Sequence, residues 1–330
     1  MAQIFAATGL IMIGLSVCAG YFLLSNFVLD SCLPGRGKNA RRNLRWVGLI
    51  RPWLFLLPAL VLLLIYLVYP VFQTLRLSVM DVGGNWVGFD NYVWLARDDK
   101  FRESLGNNIL WLMVVPAVST ALGLVLAGVT NRIRWGGVVQ SLIFMPMVIS
   151  FVSAAVIWKF VYAYRGAGQG DQIGLLNAIV TGAGGTPQAW IATPIWNTFF
   201  LMAILIWIQT GFAMVVLSAA LKTLPSDTQE AARLDGAGTF RIFVQIQLPQ
   251  IRGMIAVVWT TITVTVLKVF DIVFAMTNGQ WGTQVLANLM YDWMFRAADP
   301  GRASAVAVVI MLLVTPVMVW MIRSTGRASR

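Results

Sequence analysis

Glu230-Ala231-Ala232-Arg233-Leu234-Asp235-Gly236, followed nine residues after the glycine by Ile246-Gln247-Leu248-Pro249, lies between two long apolar stretches at about 195–221 and 253–276. Local rules build this connection from its own residues. Leu224-Pro225 closes the preceding stretch, and Ser226 with Gln229 three residues later predicts a capping pair at a helix start. Asp227 and Glu230 favour the positive end of that helix. Ala231 and Ala232 are strong helix formers that leave a low-profile surface. Gly236 or Gly238 supplies the left-handed turn that stops the helix. Thr239 is then expected to cap a second, apolar helix that runs to Leu248-Pro249 and the next crossing.

Outward from this connection the chain is mostly apolar. Of its 330 residues, 58% are hydrophobic and only 11% charged. Soluble domains carry about 25% charged residues, so the composition points to an all-α polytopic membrane protein. A bilayer core about 30 Å thick needs roughly 20 apolar residues per helical crossing. Seven stretches meet that need, at about 3–29, 53–72, 108–130, 138–162, 195–221, 253–276 and 303–322. None alternates with a period of two, which argues against a transmembrane barrel. The first crossing and its basic loop form an N-terminal attachment over 1–50. Residues 51–330 read as one six-span unit that carries the connection 222–252.

The net charge of +11 is distributed by side rather than as a nucleic-acid patch. Segments 30–51, 131–137, 222–252 and the tail after 322 hold 15 of the 24 Lys and Arg residues, all in alternate connections. The other connections hold eight of the 13 acids. Lys and Arg excess marks the cytoplasmic side. The expected topology places the N-terminus outside and the C-terminus inside, with the 222–252 connection in the cytoplasm.

Several chemistries are excluded or weakened. The chain has no histidine, which removes His-based acid–base catalysis and His metal sites. Cys18 and Cys32 are poor disulfide partners, and two thiols cannot build a structural zinc site. Leu15-Ser16-Val17-Cys18 is a weak lipoprotein-like signal, because Val17 is bulky and no Lys or Arg precedes Arg36; an uncleaved helix is expected. Gly35-Arg36-Gly37-Lys38-Asn39 has the look of a phosphate loop, but Cys32 stands at its first glycine and Asn39 replaces the Ser or Thr. Bound ATP on this chain is therefore not expected.

Lys268 and Asp271 lie within the sixth apolar stretch, where a charge at mid-bilayer costs about 2.5–3.5 kcal/mol. On a continuous helix their i, i+3 spacing puts them on one face, either as a self-satisfied ion pair or on a wet path. Lys159 is expected to snorkel to the interface. Of the 14 tryptophans, Trp46, Trp53, Trp135 and Trp320 fit interfacial belts, whereas Trp158, Trp207 and Trp259 are less easily assigned.

The spacing E-A-A-x3-G-x9-I-x-L-P over Glu230–Pro249 resembles the cytoplasmic coupling loop in membrane subunits of ATP-binding-cassette importers. The likeness extends over about residues 50–322. Phe270-Asp271 with Thr277-Asn278-Gly279, and Trp158-Lys159 with Gly174-Leu175-Leu176-Asn177, resemble carbohydrate (maltose-type) permeases. Ile206-Trp207-Ile208-Gln209-Thr210-Gly211-Phe212 and Leu267–Val273 are similar to the alpha-glucoside subfamily, as are the first span and its loop. Gln280-Trp281 departs from the Gly-Pro usual after the threonine-glycine turn.

This resemblance implies a type I importer permease in the bacterial inner membrane. Glu230, Ala231, Ala232, Asp235, Gly236, Ile246, Leu248 and Pro249 would couple it to an ATPase. Counting outward from the motif, the family's sugar positions fall at Gln209 and Phe212 and at Thr265, Val266 and Val269. Lys268 and Asp271 join them as candidate lining residues. The implied partners are an ATPase dimer that carries the ATP, a second and different permease, a periplasmic sugar-binding protein and membrane lipid. No cofactor, nucleic acid or catalytic residue is expected for this chain. Two other readings remain at this point: an ion-coupled secondary sugar transporter using Lys268 and Asp271, and a non-transporting membrane anchor.

Overall fold

A computed structural model describes residues 2–34, 40–166, 168 and 170–328. The phosphate-loop-like Gly35–Asn39 lies outside these described residues. Helices make up nearly all of the regular structure, and the described residues include one isolated antiparallel bridge between Met80 and Trp86. The chain divides into two units, Met1–Gln73 and Thr74–Arg330.

In the first unit, α1 (Ala2–Cys32) and α2 (Ala40–Leu63) form an antiparallel pair. The expected basic loop over 30–51 is helical from Ala40 onward. Between Ala40 and Arg51 there is no proline and only one glycine, Gly48, so the Arg-rich stretch winds into the apolar one without interruption. Pro52 and Pro58 lie inside α2. Pro58 has no N–H for the carbonyl of Leu54, and the Tyr21 hydroxyl donates to that oxygen instead, at 2.7 Å. Phe22 meets Phe55 edge-on at 5.4 Å, and Arg51 pairs with Asp30 at 3.0 Å. A π-helical turn, Leu64–Val68, continues α2 into α3 (Tyr69–Leu77). Pro70 cannot donate to Tyr66, which is why the hydrogen-bond ladder widens there.

The second unit runs through α4 (Asp90–Arg97), α5 (Asp99–Thr130), α6 (Gly136–Phe144), α7 (Phe151–Val161), α8 (Leu175–Gly182) and α9 (Trp196–Lys222). It continues through α10 (Ser226–Leu234), α11 (Thr239–Ile242), α12 (Leu248–Gln250), α13 (Arg252–Leu267), α14 (Asp271–Met276), α15 (Leu286–Tyr291) and α16 (Pro300–Ala328). Helix α9 is the buried axis, with α5 packed along it and α13 against both. Small residues permit this approach. A side chain at Gly123 of α5 would collide with Ala213, and a Cβ at Gly211 would come within 2.5 Å of the Ile143 carbonyl oxygen of α6. The core at these seams includes Trp111, Val115, Leu205, Ile208, Met214 and Ile262.

Among the described residues five helices are long and apolar enough to cross a membrane, and counting each of two bent pairs as one span gives seven. The expected fourth span is one of these bent pairs, and the expected sixth begins with the second helix of the other. The fourth turns by 104° between Gly136–Val148 and Phe151–Val161. Pro146 tightens the chain into a 3₁₀ turn, Ile149 and Ser150 are extended, and the Ser150 hydroxyl accepts from the Ser153 N–H at 3.2 Å to start α7. The chain turns by 73° between Thr239–Gln250 and Arg252–Leu267, just ahead of the expected sixth span, which then breaks inside its length at Lys268–Phe270, before α14.

The connection expected over 277–300 is also built. Asn107 of α5 donates to the carbonyls of Gly282 and Gln284, and Asn108 accepts from the Leu286 N–H at 2.8 Å. Those contacts hold the start of α15 against α5, and α15 also packs beside α16. The segments over 81–107 and 163–194 likewise contain α4, the start of α5, and α8.

Candidate functional site: an exposed coupling helix and a cavity between broken helices

Helix α10 has no buried residue. Glu230, Ala231, Asp235 and Gly236 are exposed, Ala232 half-buried, and Leu234 is 89% exposed. The stop is the one expected at Gly236. With φ at +81°, Gly236 donates to the Arg233 carbonyl and Ala237 donates to the Ala232 carbonyl at 2.9 Å. That pair of bonds is a Schellman closure, which needs the left-handed residue between them.

The expected start differs. Ser226 and Thr239 are the first residues of their helices, not caps; Pro225 and Gly238 occupy the cap positions without side-chain bonds. The Ser226 hydroxyl turns to Asp227 instead, at 3.3 Å.

After α11 the chain makes a π-helical turn, Phe243–Gln247, before α12. Pro249 cannot donate to Gln245, so this turn has the same cause as the one ahead of Pro70. Ile246 and Leu248 are half-buried, whereas Pro249 is exposed. The Phe243 ring lies on Gly128 near the end of α5, where an added Cβ would stand 3.2 Å from it. Gln247 donates to Gln229 at 2.9 Å, tying this segment back to α10. Close by, Gln140 of α6 donates to Thr130 and Ser218 at 2.8 and 2.9 Å, and Ser218 donates to Asn131 at 2.6 Å. These bonds join the ends of α5, α6 and α9.

Further along α9 a cavity of about 500 Å³ opens. Gln209 and Phe212 of α9 line it together with Thr261 and Thr265 of α13, Met147 and Phe151 at the first helix break, and Lys268 and Asp271 at the second. Irregular backbone inside a membrane is tolerated where it lines such a space. Five of the seven residues expected to line the pathway therefore share one wall. Val269 faces a small adjoining recess. Val266 does not reach the space; it projects about 100° around α13 from Thr265 and is fully buried in the core.

The expected one-face relationship of Lys268 and Asp271 is not formed. Helix α13 ends at Leu267 and α14 begins at Asp271, so no continuous helix carries both. Among the described residues the ion pairs are Arg51–Asp30, Arg102–Asp99, Arg296–Asp292 and Arg302–Asp299. Lys268 and Asp271 thus present their charges to the cavity without a salt bridge.

Met147, Phe151, Ile208 and Thr261 also line this wall and were not singled out in the sequence. Pro146 followed by Ser150 is the available signal for the first two, and Thr261 lies one helical turn before Thr265. The aromatic side chains of Phe151 and Phe212, together with the amide, hydroxyl and charged groups of the same lining, suit a polar ligand with apolar C–H faces. Trp158 and Trp207 instead pack edge-on at 5.8 Å at the core margin.

Residues 119–327 match the family described as "Binding-protein-dependent transport system inner membrane component". The chain belongs to this family of transport permeases. It is 61% identical over its full length to the alpha-glucoside transport system permease protein AglF of Rhizobium meliloti, covering 99% of that protein. It is 49% identical to the osmoprotective compounds uptake permease protein GgtC of Synechocystis, over 82% of this chain and 97% of the relative. The crystal structure of a bacterial ABC transporter that imports alginate shares the fold, with a TM-score of 0.75 at 21% identity, over 86% of this chain and 99% of the other. The permease is accordingly a multi-pass membrane protein of the ABC importer class. The reading as an ion-coupled secondary transporter is set aside, because the family relationship extends across both the α10 connection and the cavity.

Proposed function

We propose that this permease passes an oligosaccharide of the alpha-glucoside class through the cavity at Gln209, Phe212, Thr265, Lys268 and Asp271, driven by ATP hydrolysis on a partner subunit. One observation carries the reading: a single helix, α9, lines the cavity at Gln209 and Phe212 and runs without a break to Lys222, four residues before α10. A rigid rod of 27 residues spans about 40 Å at 1.5 Å per residue. Force applied to α10 therefore reaches the cavity wall through covalent and hydrogen-bonded structure. The charge asymmetry supports a cytoplasmic α10 and C-terminus and a periplasmic N-terminus.

In this assembly Glu230, Ala231, Ala232, Asp235, Gly236, Ile246, Leu248 and Pro249 couple the chain to an ATPase dimer, with the exposed helix docked in a groove of that dimer. The permease itself performs no catalysis and binds no cofactor. A second, different permease completes the pathway, and a periplasmic sugar-binding protein delivers to the segments 81–107, 163–194 and 277–300. Residues 1–50 serve as an attachment and 51–330 as the transporting unit. The similarity to AglF supports the substrate class.

The test is uptake of labelled maltose, sucrose and trehalose by the reconstituted complex, with the double variant Glu230→Lys, Gly236→Asp alongside. Uptake should disappear while the variant remains in the membrane. Full uptake by the variant would overturn the coupling reading, and transport of none of the three sugars by the wild type would overturn the substrate class.

A further inference from the structure

Behind α10 lies a second cavity, of about 200 Å³, that sugar passage does not use. Three cations from three separate elements line it: Arg132 from the turn after α5, Lys222 from the last turn of α9 and Arg233 from the last turn of α10. Asn131, Gln229 and Gln247 add amide groups, and among the described residues no carboxylate lines the space. Among the described residues none of the four ion pairs includes Arg132, Lys222 or Arg233.

Each cation taken singly has an ordinary reason to be there. Lys222 and Arg233 complement the negative ends of their helices, and Arg132 follows the end of α5. Those reasons do not account for all three facing one concavity that lacks a counter-charge. All three side chains are exposed, and like charges converging on one concavity still focus a positive potential into it. An anion in that hollow relieves their mutual repulsion. Two guanidinium forks and an ammonium match the several acceptor oxygens of a phosphate group better than a single carboxylate.

We propose that this cavity is a phosphate-group site whose cationic contacts are Arg132, Lys222 and Arg233. Inorganic phosphate and the phosphate of an anionic lipid headgroup share this chemistry, and basic pockets at the cytoplasmic ends of membrane helices suit the latter. Arg233 belongs to α10, whereas Arg132 and Lys222 belong to the bundle. An occupied site therefore clamps the exposed helix to the ends of α5 and α9 and sets how firmly a push on α10 is passed on. The site stands on the cavity alone; only this consequence rests on the coupling reading.

The experiment uses the full chain, first in nanodiscs of phosphatidylcholine with inorganic phosphate titrated at constant ionic strength. The thermal unfolding midpoint reports binding, because a ligand of the folded state stabilises it. A second arm adds phosphatidylglycerol and measures its retention by native mass spectrometry. Saturable binding is expected in at least one arm, weakened about tenfold by R132Q, K222Q or R233Q and unchanged by R241Q, which lies outside the cavity. A response to phosphate alone assigns the site to a soluble phosphate group; retention of phosphatidylglycerol alone assigns it to a headgroup. The proposal fails if neither arm saturates in the wild type, or if the three cavity variants bind as the wild type does. No uptake measurement enters, so failure of the coupling reading leaves this result intact.

Discussion

Tyr21 on α1 hydrogen-bonds the Leu54 carbonyl of α2 at 2.7 Å, the acceptor that Pro58 leaves without an intrahelical donor. A hydroxyl on one helix thus repairs the ladder of its neighbour. Tyr21→Phe should destabilise the α1–α2 pair by about 0.5–1.5 kcal/mol, measured by denaturation in detergent. In a Pro58→Ala background the same change should cost much less, because the alanine N–H can donate to the Leu54 carbonyl itself. Equal costs in both backgrounds would show that the bond does not replace the missing one.

The α5–α9 seam makes a second prediction. Gly123→Leu must push against Ala213 and the backbone at Met214, which has no flexible end to yield. Overpacking of this kind costs about 1–3 kcal/mol or more. The expected outcome is loss of monodisperse protein on size exclusion. Gly106→Leu, where nothing lies within 4 Å of the added Cβ, should be tolerated.

Gly236 and Gly253 separate backbone conformation from space. Neither has a neighbour within 4 Å, but Gly236 has φ at +81° and Gly253 lies within α13. Gly236→Ala should cost on the order of 1–2 kcal/mol locally and speed amide exchange at the end of α10. Gly253→Ala should be neutral or stabilising, by up to about 1 kcal/mol. Similar exchange in both variants would remove the Schellman closure as the stop.

The unpaired charges of the large cavity can be tested by transport. Lys268→Met and Asp271→Asn should each raise the Michaelis constant for sugar roughly tenfold, if each makes a charge-assisted hydrogen bond to it. Wild-type uptake should persist when a protonophore collapses the proton gradient while ATP is maintained. Uptake that follows the gradient would count against ATP drive.

Asp81 offers a pH prediction outside the apolar spans. Its carboxylate accepts from the Asn85 side chain at 3.0 Å and from the Asn85 N–H at 2.8 Å, which lowers its pKa below the ordinary 3.8. A lowered folded-state value means that the turn is supported above 3.8 and loses that support as pH falls through the folded value. Amide exchange at Asn85 should therefore be slowed at neutral pH, relative to Asp81→Ala, and the difference should vanish in strong acid.

The α10 connection was largely legible before the structure. The stop at Gly236 depends on bonds between residues a few positions apart, so the local sequence contains its whole cause. The caps were misread at Ser226 and Thr239 because Pro225 and Gly238, one residue earlier, take the extended conformation that a cap requires. The cavity was half legible. Gln209, Phe212, Thr265, Lys268 and Asp271 were identified by family likeness and intramembrane charge, whereas Met147 and Phe151 depend on a bend inside an apolar run.

The amino-acid order alone determined that the chain crosses a membrane repeatedly, on which side its basic connections are expected, and where the exposed helix ends. Those properties follow from transfer free energy summed along a segment and from short-range backbone geometry. Tertiary structure decided where the fourth and sixth crossings break, which carbonyls a neighbouring helix satisfies, and which side chains share a cavity. An apolar run has nearly the same hydropathy straight or bent, so the break is settled by whether surrounding helices can satisfy and cover the freed backbone.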